Sequence, residues 1–284
     1  TLGRFFCQPP KAVDAYFRDP DRVRICFPED DELNPIDEFG RFKKWFQEDD
    51  MEDGPKRFVH IDLGLNRDRA GLCMVHAIGA KTVSHFDGVL TTTHKLPVIK
   101  MDIINYWEAP PGGEIDFNDI RQFIFNLADR FPIVLVSMDR WNSQDTSKIL
   151  QSRGLSTEMH TVVKEDYDTL STSIYDARLI AYHHDILVEQ ELLKLQLIKG
   201  KKVDHPRQGY KDGSDCLAGS VWYCTQYTPI DDEMEIDVLG GSSDDDRDED
   251  ENIIHTNTPA KRLPSKKSDM PPDISEFLER MKAI

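Results

Sequence analysis

The chain has 284 residues, 39% of them hydrophobic, so it is long enough to bury a sizeable core in one large domain or two modest ones. It contains no run of about eighteen apolar residues, which excludes a membrane-spanning helix. Five scattered cysteines include no C-x-x-C pair, which argues against a disulfide framework and against a structural zinc site.

The formal net charge of −17 argues against a nucleic-acid partner until its distribution is considered. Residues 231–251 contain twelve acids and one base, and residues 29–53 contain eleven acids and three bases. Residues 54–228 are left with a net charge of −2. Because charges are screened over about 8 Å at physiological salt, the acidic segments need not oppose DNA binding elsewhere on the surface.

The composition divides the chain into four segments. Residues 1–53, with a Pro-Pro pair, aromatic residues and an acidic stretch, are interpreted as a flexible connecting arm. Residues 54–228 have the texture of a folded domain, and residues 229–270 that of a disordered acidic linker. Residues 271–284 have apolar positions at i, i+3, i+4 and i+7, which predicts a short amphipathic docking helix. These positions are Ile274, Phe277, Leu278 and Met281.

The first part of the predicted domain is rich in β-strand signals. Residues 58–64 and 71–78 are two strand-like runs with turn residues between them, which predicts a hairpin with Asp62 on its first strand. A third strand is predicted within residues 95–107, before a Pro-Pro-Gly-Gly break.

Helical and strand patterns alternate after this break. Asp116 or Asn118 is predicted to cap a helix with apolar residues at helical spacing. The continuous apolar run at residues 133–136 is typical of a strand that is covered on both faces. A second helix is predicted over residues 143–153, with Gly154 as its stop.

The remaining part of the predicted domain contains one strand pattern and three helical ones. The strand is predicted at residues 159–163, and helices at residues 167–183 and 189–197. The last helix is predicted to start near Lys211 or Asp212. This order of elements predicts an α/β domain with a mixed sheet.

Aspartates lie at chemically informative positions of these elements. Asp139 follows an apolar strand, and Asp212 and Asp215 lie in the first turn of a helix. Each has a structural explanation, as the start of a turn or as a helix cap. Asp62 is harder to explain, because an unpaired carboxylate on an apolar strand costs several kcal/mol unless a cation contacts it.

The chemistry of clustered carboxylates suggests a metal site. Two carboxylates about 5 Å apart repel by roughly 3 kcal/mol at an effective dielectric constant of about 20, and a divalent cation reverses the sign. Oxygen ligands of this kind suit Mg²⁺ and Mn²⁺. Two such ions about 4 Å apart activate water and stabilise the oxygens at a phosphorus centre. The acids therefore make a metal-dependent phosphodiesterase one candidate function.

Four ordered segments together resemble the nuclease domain of the large terminase subunit of tailed bacteriophages. They are HIDLGLNRDRAGL, VLVSMDRWNSQD, DYDTLSTSIYDARL and GKKVDHPRQGYKDGSDCLAG, and the match spans about residues 57–227. The opening QPPKAVDAYFRDP also resembles the segment that leaves the ATPase motor in this family. Since the chain begins without an initiator Met, we interpret residues 1–53 as the arm that follows a preceding ATPase domain.

The resemblance implies an RNase H-like fold, in which helices flank a mixed central sheet. It implies an endonuclease that cuts concatemeric double-stranded viral DNA during packaging into proheads. Asp62, Asp139 and Asp215 would be the catalytic acids that bind two Mg²⁺ or Mn²⁺ ions, with Asp212 as a neighbouring ligand.

Three further residues each have a functional and a structural interpretation. Asp68 is a candidate for binding or relocating a metal ion, or is an ordinary turn aspartate. His205 is a candidate for contact with the scissile phosphate or a water, and Lys211 for contact with phosphate. A hydrogen-bonded loop histidine and a solvated lysine are the alternatives.

The resemblance also implies partners and a location. The partners are double-stranded DNA, the portal protein, the small terminase subunit and the ATPase domain of the same polypeptide, at the prohead portal in the host cytoplasm. The sequence contains no G-x-x-x-x-G-K-[ST] loop, so we do not expect these residues to hydrolyse ATP. The helix predicted at residues 271–284 is hypothesised to dock on the portal or another packaging component. Another RNase H-like nuclease, such as a junction resolvase, and a non-catalytic packaging adaptor are the alternative functions.

Overall fold

In the computed structural model, two predicted features lie outside the described residues: Asp68 and the helix at residues 271–284. The acidic linker lies outside them too, apart from residues 229–230. Among the described residues, no helix combines the length and the apolar character that a membrane span needs. The structure describes residues 15–29, 33–37, 41–46, 48–64, 69–86, 88–140, 143–207 and 209–230.

Six strands of the described chain form one mixed sheet. The strands are β1 (Arg57–Asp62), β2 (Ala70–Phe86), β3 (Thr91–Trp107), β4 (Ile133–Met138), β5 (Thr157–Met159) and β6 (Leu179–Ile180). Their order across the sheet is β5-β4-β1-β2-β3-β6. Strand β1 pairs antiparallel with β2 and parallel with β4, so it lies near the centre. Two short antiparallel strands, β7 (Gln196–Ile198) and β8 (Lys202–Asp204), pair separately.

Helices cover both faces of this sheet. They are α1 (Pro20–Cys26), α2 (Phe117–Ala128), α3 (Gln144–Ser152), α4 (Lys164–Tyr175) and α5 (Asp212–Tyr227). A π-helix, Ile186–Glu191, continues into a short 3₁₀ turn, Leu192–Lys194.

The sheet separates two apolar cores, because successive side chains of a strand point to opposite faces. Phe58 of β1 belongs to the core shared with α4 and α5, which also contains Leu170 and Leu217. Ile61 of β1 belongs to the core shared with α2 and α3, which also contains Ile124. Strand β1 is therefore covered on both faces, and Asp62 stands at its carboxyl end.

The predicted α/β class, with helices flanking a mixed central sheet, is confirmed. The hairpin with Asp62 on its first strand is also confirmed, although β2 and β3 are longer than predicted. Asp116 is the N-cap of α2, and its carboxylate accepts a hydrogen bond from the amide of Asn118. Gly154 follows α3 with a φ of 85°, as a glycine stop requires.

Several local predictions are wrong. The helix predicted to reach residue 183 ends at Tyr175, because the following residues pair as β6 with Ile99 and Lys100 of β3. The strand predicted at residues 159–163 is Thr157–Met159, and the helix predicted at residues 189–197 gives way to β7. In β4, Val134 is 38% exposed, so the start of this strand is not covered on both faces.

The described part of residues 1–53 packs against the domain. Asp19 caps α1 by accepting hydrogen bonds from the amides of Asp21 and Arg22. Val23 of this helix is buried in the core that contains α4, because an amphipathic helix is stabilised by burying its apolar face. The role of residues 1–53 as a connection to a preceding ATPase domain stays a prediction.

Candidate active site

Asp62 and Asp139 lie side by side at one edge of the sheet. Strands β1 and β4 are parallel neighbours, and Ile61 pairs with Met138. Asp62 and Asp139 are therefore the next residues along two paired strands, which lie about 4.8 Å apart. Since Ile61 and Met138 both belong to the core of α2 and α3, alternation directs Asp62 and Asp139 to the opposite, α5 side.

Two glycines allow the first turn of α5 to approach this edge. Gly71 pairs with Asp62 across the hairpin, and a Cβ atom on Gly71 would lie 2.9 Å from the carbonyl oxygen of Asp212. A Cβ atom on Gly213 would lie 1.9 Å from the hydroxyl oxygen of Tyr106 on β3. Only residues without a side chain fit at these contacts, so the start of α5 lies directly against β2 and β3 beside Asp62.

The carboxyl groups of the site share one electrostatic environment. Burial raises the pKa of Asp62 to about 7, helped next by the charges of Asp215 and Asp212. Asp139 acts in the same direction, whereas Lys211 opposes the rise of the pKa. The acids that the sequence predicted on two strands and one helix therefore influence the ionisation of Asp62.

Asp215 is buried and is held by two donors. The Tyr167 hydroxyl donates to Asp215 Oδ1 at 2.5 Å, and the Lys211 ammonium donates to Asp215 Oδ2. Burial raises the pKa of Asp215, although both donors oppose this rise. Burial acts to lower the pKa of Lys211, but the carboxylate of Asp215 outweighs it and the pKa is raised. The lysine therefore remains charged and supplies a positive charge inside the acidic cluster.

Asp139 is oriented by donors that follow β4 and β5. Its Oδ1 atom accepts a hydrogen bond from the Thr161 hydroxyl at 2.7 Å and another from the amide of Arg140 at 2.5 Å. These two bonds fix one carboxylate oxygen against the protein. Neither of these two donors contacts Oδ2, the other carboxylate oxygen.

The donor set suits a hard divalent cation in chemical type and in charge. The four groups, those of Asp62, Asp139, Asp212 and Asp215, are all carboxylates, which are the oxygen ligands that hard divalent cations prefer. Burial, and after it the charges of neighbouring acids, raises the pKa of Asp62, and a bound cation would oppose both effects. In the described part of the chain, however, no three His, Cys, Asp or Glu side chains are arranged to ligate one ion. The Lys211 ammonium donates a hydrogen bond to Asp215 Oδ2. A metal ion can therefore bind to this oxygen only if the ammonium moves away.

The other predicted site residues lie at or beyond the edge of this cluster. Lys211 is partly buried and forms an ion pair with Asp215. The alternative interpretation, a solvated lysine, is therefore wrong. The His205 ring donates from Nδ1 to the carbonyl of Pro206 at 2.7 Å, and its Nε2 lies 3.8 Å from Asp204. These are the contacts of a hydrogen-bonded loop histidine, and contact with a phosphate stays a prediction. Asp68 lies outside the described residues.

Glu191, the last residue of the π-helix, is a further acid near this site that the sequence did not indicate. This side chain is completely buried, and its Oε2 accepts a hydrogen bond from the amide of Ser214 at 2.7 Å. That amide belongs to the first turn of α5, where backbone donors lack partners within the helix. Burial raises the pKa of Glu191 to about 8, and the charges of Asp212 and Asp215 act in the same direction. The sequence contains little signal, because Glu191 lies in a Glu-Gln-Glu triplet between two apolar runs, and nothing in the pattern separates it from Glu189.

We expect Glu191 to stabilise the position of α5. Glu191→Ala should lower the free energy of unfolding by about 2–4 kcal/mol, because the buried Ser214 amide loses its acceptor and a cavity forms. Glu191→Gln keeps an acceptor oxygen and should cost less than about 1 kcal/mol. Urea unfolding measures the difference, with Glu189→Ala as a control, since Glu189 forms an exposed ion pair with Arg24. Equal stability of the Ala and Gln variants would contradict this role.

Solved structures of large terminases are similar to this chain. The large terminase nuclease from thermophilic phage G20c with bound magnesium shares 13% identity over 74% of this chain and 98% of that chain, with a TM-score of 0.50. The HK97 bacteriophage large terminase shares 15% identity over 72% of this chain and 43% of that chain, with a TM-score of 0.49. The P22 large terminase nuclease domain shares 10% identity over 63% of this chain and 86% of that chain, with a TM-score of 0.41. No protein-family model matches the chain, and no curated protein matches it significantly.

The similarity to the G20c nuclease concerns the fold. It extends over nearly the whole of that nuclease, and the described domain has a terminase nuclease-like fold. The resemblance found in the sequence is thus confirmed at the level of the fold. Because one fold can host different activities, the function has to be argued from the side chains of the site.

Proposed function

We propose that this chain is a metal-dependent endonuclease that cuts concatemeric double-stranded viral DNA during genome packaging. The observation that supports the proposal is that β1, β4 and the first turn of α5, which carry Asp62, Asp139 and Asp215, lie together at one edge of the sheet. Grouped carboxylates with too few cations destabilise a fold, so such clusters are characteristic of functional sites. A terminase nuclease-like fold around these acids is the second support.

In this proposal Asp62, Asp139 and Asp215 hold Mg²⁺ or Mn²⁺, with Asp212 as a neighbouring ligand. The G20c nuclease of similar fold contains magnesium, which supports this choice of ion. When bound, two such ions supply an activated water and stabilise negative charge on the phosphate.

Other residues of the chain have supporting roles in the proposed reaction. Tyr167 and Thr161 orient the carboxylates of Asp215 and Asp139 through their hydrogen bonds, so these ligands are preorganised before DNA binds. Lys211, once displaced from Asp215, presents its ammonium group to a phosphate oxygen at the same place. His205 and Asp68 stay candidates for contact with phosphate, water or a second ion.

The proposed biological setting is the packaging motor. The nuclease would act with an ATPase domain of the same polypeptide, the small terminase subunit and the portal protein, at the prohead in the host cytoplasm. Duplex DNA would approach the sheet edge that carries Asp62 and Asp139. The near-neutral charge of residues 54–228 is compatible with such an approach.

Plasmid cleavage tests this function. The purified chain is expected to cut supercoiled plasmid with Mn²⁺ or Mg²⁺ and to stop when the metal is chelated. Asp139→Ala should lower the cleavage rate by at least about 100-fold, because a carboxylate ligand is lost. Asp145→Ala is the matched control, since Asp145 is exposed and lies 3.8 Å from Arg121, outside the cluster.

Two outcomes would contradict the proposal. Cleavage that survives both Asp62→Ala and Asp139→Ala would reject the proposed catalytic centre. Failure of the unaltered chain to cut DNA with either metal, combined with binding to proheads, would favour the non-catalytic adaptor.

A further inference from the structure

An apolar groove lies at the end of β1 that is opposite to the acids. Its volume is about 710 Å³, within the range of ligand-binding pockets. Its apolar lining includes Phe58 and Leu135, on the neighbouring strands β1 and β4, and Ala77 and Ile78 of β2. Since Phe58 precedes Asp62 by four residues, the groove lies roughly 13 Å from the acids along the strand.

The groove exists because α5 ends before it reaches the edge of the sheet. This helix covers the sheet up to Tyr227, and among the described residues no helix continues over the start of β1 and β4. Val134 and Tyr227 at the groove are 38% and 59% exposed. Both residues line the same groove, and a contiguous apolar patch with polar residues at its rim is typical of an interaction surface.

The chain leaves the described domain at this groove. Thr228 and Pro229, which follow α5, are themselves part of its lining. The forty residues 231–270 then separate the groove from residues 271–284, whose sequence predicts an amphipathic helix. A coil of forty residues spans about 35 Å on average, which is sufficient for the final segment to return to the groove.

We propose that residues 271–284 bind as an amphipathic helix in this groove of the same chain. The side chains of Phe277 and Leu278 enter the groove, in the way that an apolar helix face occupies a hydrophobic groove. The tether gives the segment a local concentration of the order of 1 mM, so that even a weak contact is populated. The groove carries charges of both signs, from Lys56 and Glu158. Residues 271–284 also contain both acids and bases.

Docking within the chain hides an apolar surface that would otherwise be exposed. A packaging component that binds residues 271–284 must then compete with the groove for the same apolar side chains. The inference does not depend on nuclease activity, because the groove and the acids occupy opposite ends of β1.

Hydrogen–deuterium exchange on the full chain tests the docking. Amides of residues 274–281 are expected to exchange about tenfold more slowly than in the Leu278→Asp variant, independently of protein concentration. Val134→Asp, which places a charge in the groove, should remove this protection. Glu279→Ala, on the opposite face of the predicted helix, and Thr91→Asp, on the exposed part of β3, are controls that should keep it.

The other outcomes overturn the proposal. Exchange at the rate of an unstructured peptide means that the segment does not dock. Protection that grows with protein concentration assigns the groove to a second copy, and protection only after addition of a packaging component assigns the segment to that partner. If Val134→Asp fails to fold, Tyr227→Ala replaces it, because the Tyr227 side chain is largely exposed. Unchanged protection in a folded groove variant would also overturn the proposal.

Discussion

Asp62→Asn is expected to abolish DNA cleavage, with a loss of at least about 10³-fold, and to leave the metal-free protein at least as stable as before. Asp62 lies in a partly buried position beside three other acids, and burial together with their charges disfavours its ionised form. Asn has nearly the same shape and no charge. The substitution therefore removes a metal ligand and a source of repulsion at the same time.

Thermal unfolding with and without Mn²⁺ separates these two effects. Without metal, Tm of the variant should equal or exceed that of the unaltered chain, by about 2–4 °C for each kcal/mol of repulsion relieved. Mn²⁺ should raise Tm of the unaltered chain, since a ligand that binds only the folded state stabilises it, and should have little effect on the variant.

Asp145→Asn is the control for this experiment, because it removes one exposed acid outside the cluster. It should keep both the cleavage and the response of Tm to Mn²⁺. Wild-type cleavage by Asp62→Asn, or an undiminished response of its Tm to Mn²⁺, would exclude Asp62 as a metal ligand.

The positions of Asp62 and Asp139 could be predicted from local patterns. Each follows a short apolar run, and such runs form parallel strands whose carboxyl ends meet at one edge of a sheet. The first turn of α5 could be placed there as well, on the resemblance of its segment to a known nuclease. The two strand ends are specified by patterns that are local in sequence, whereas the approach of α5 to them was expected only from the resemblance.

The groups that support the acids could not be predicted in the same way. Tyr167 and Thr161 contact Asp215 and Asp139 from segments 48 and 22 residues away in sequence. Glu191 reaches α5 from a π-helix, a geometry that has no simple periodic signal. Their roles arise from tertiary packing, and a helical or apolar pattern does not specify which distant backbone group a side chain will meet.

The error at residues 179–183 has a similar cause. The pattern favours a helix, but Leu179 and Ile180 pair with β3 at the edge of the sheet. Ala177, just before them, has a φ of 53°, which reverses the chain and ends any helical path. Pairing with a preformed strand overrides local helix preference, and the partner lies about 80 residues away in sequence.

A buried ion cluster on the sheet is expected to give the second large effect. Asp102 of β3 is buried, and it accepts hydrogen bonds from Arg57 Nε at 3.1 Å and from His76 Nδ1 at 2.7 Å. Burial acts to raise the pKa of Asp102, but the charges of His76 and Arg57 outweigh it and hold the pKa below its usual value. The carboxylate is therefore ionised at neutral pH and joins three strands of the sheet.

Asp102→Ala should lower the free energy of unfolding by about 3 kcal/mol at pH 7, because it leaves the buried Arg57 guanidinium with less compensation. Asp49, which lies 2.5 Å from Arg57, limits the loss to the lower part of the usual range. Urea unfolding measures the change, and Asp145→Ala is the control, with an expected loss below about 1 kcal/mol, since the Asp145 side chain is 81% exposed.

The pH dependence of this loss identifies its electrostatic origin. An acid whose pKa is lower in the folded state contributes its stabilisation above the unfolded pKa, about 3.9 for Asp, and loses it as the pH falls through the folded pKa. The difference in stability between the unaltered chain and Asp102→Ala should therefore shrink below about pH 4. A difference that persists unchanged in acid would mean that Asp102 acts through its packing volume, because protonation removes the charge and keeps the shape.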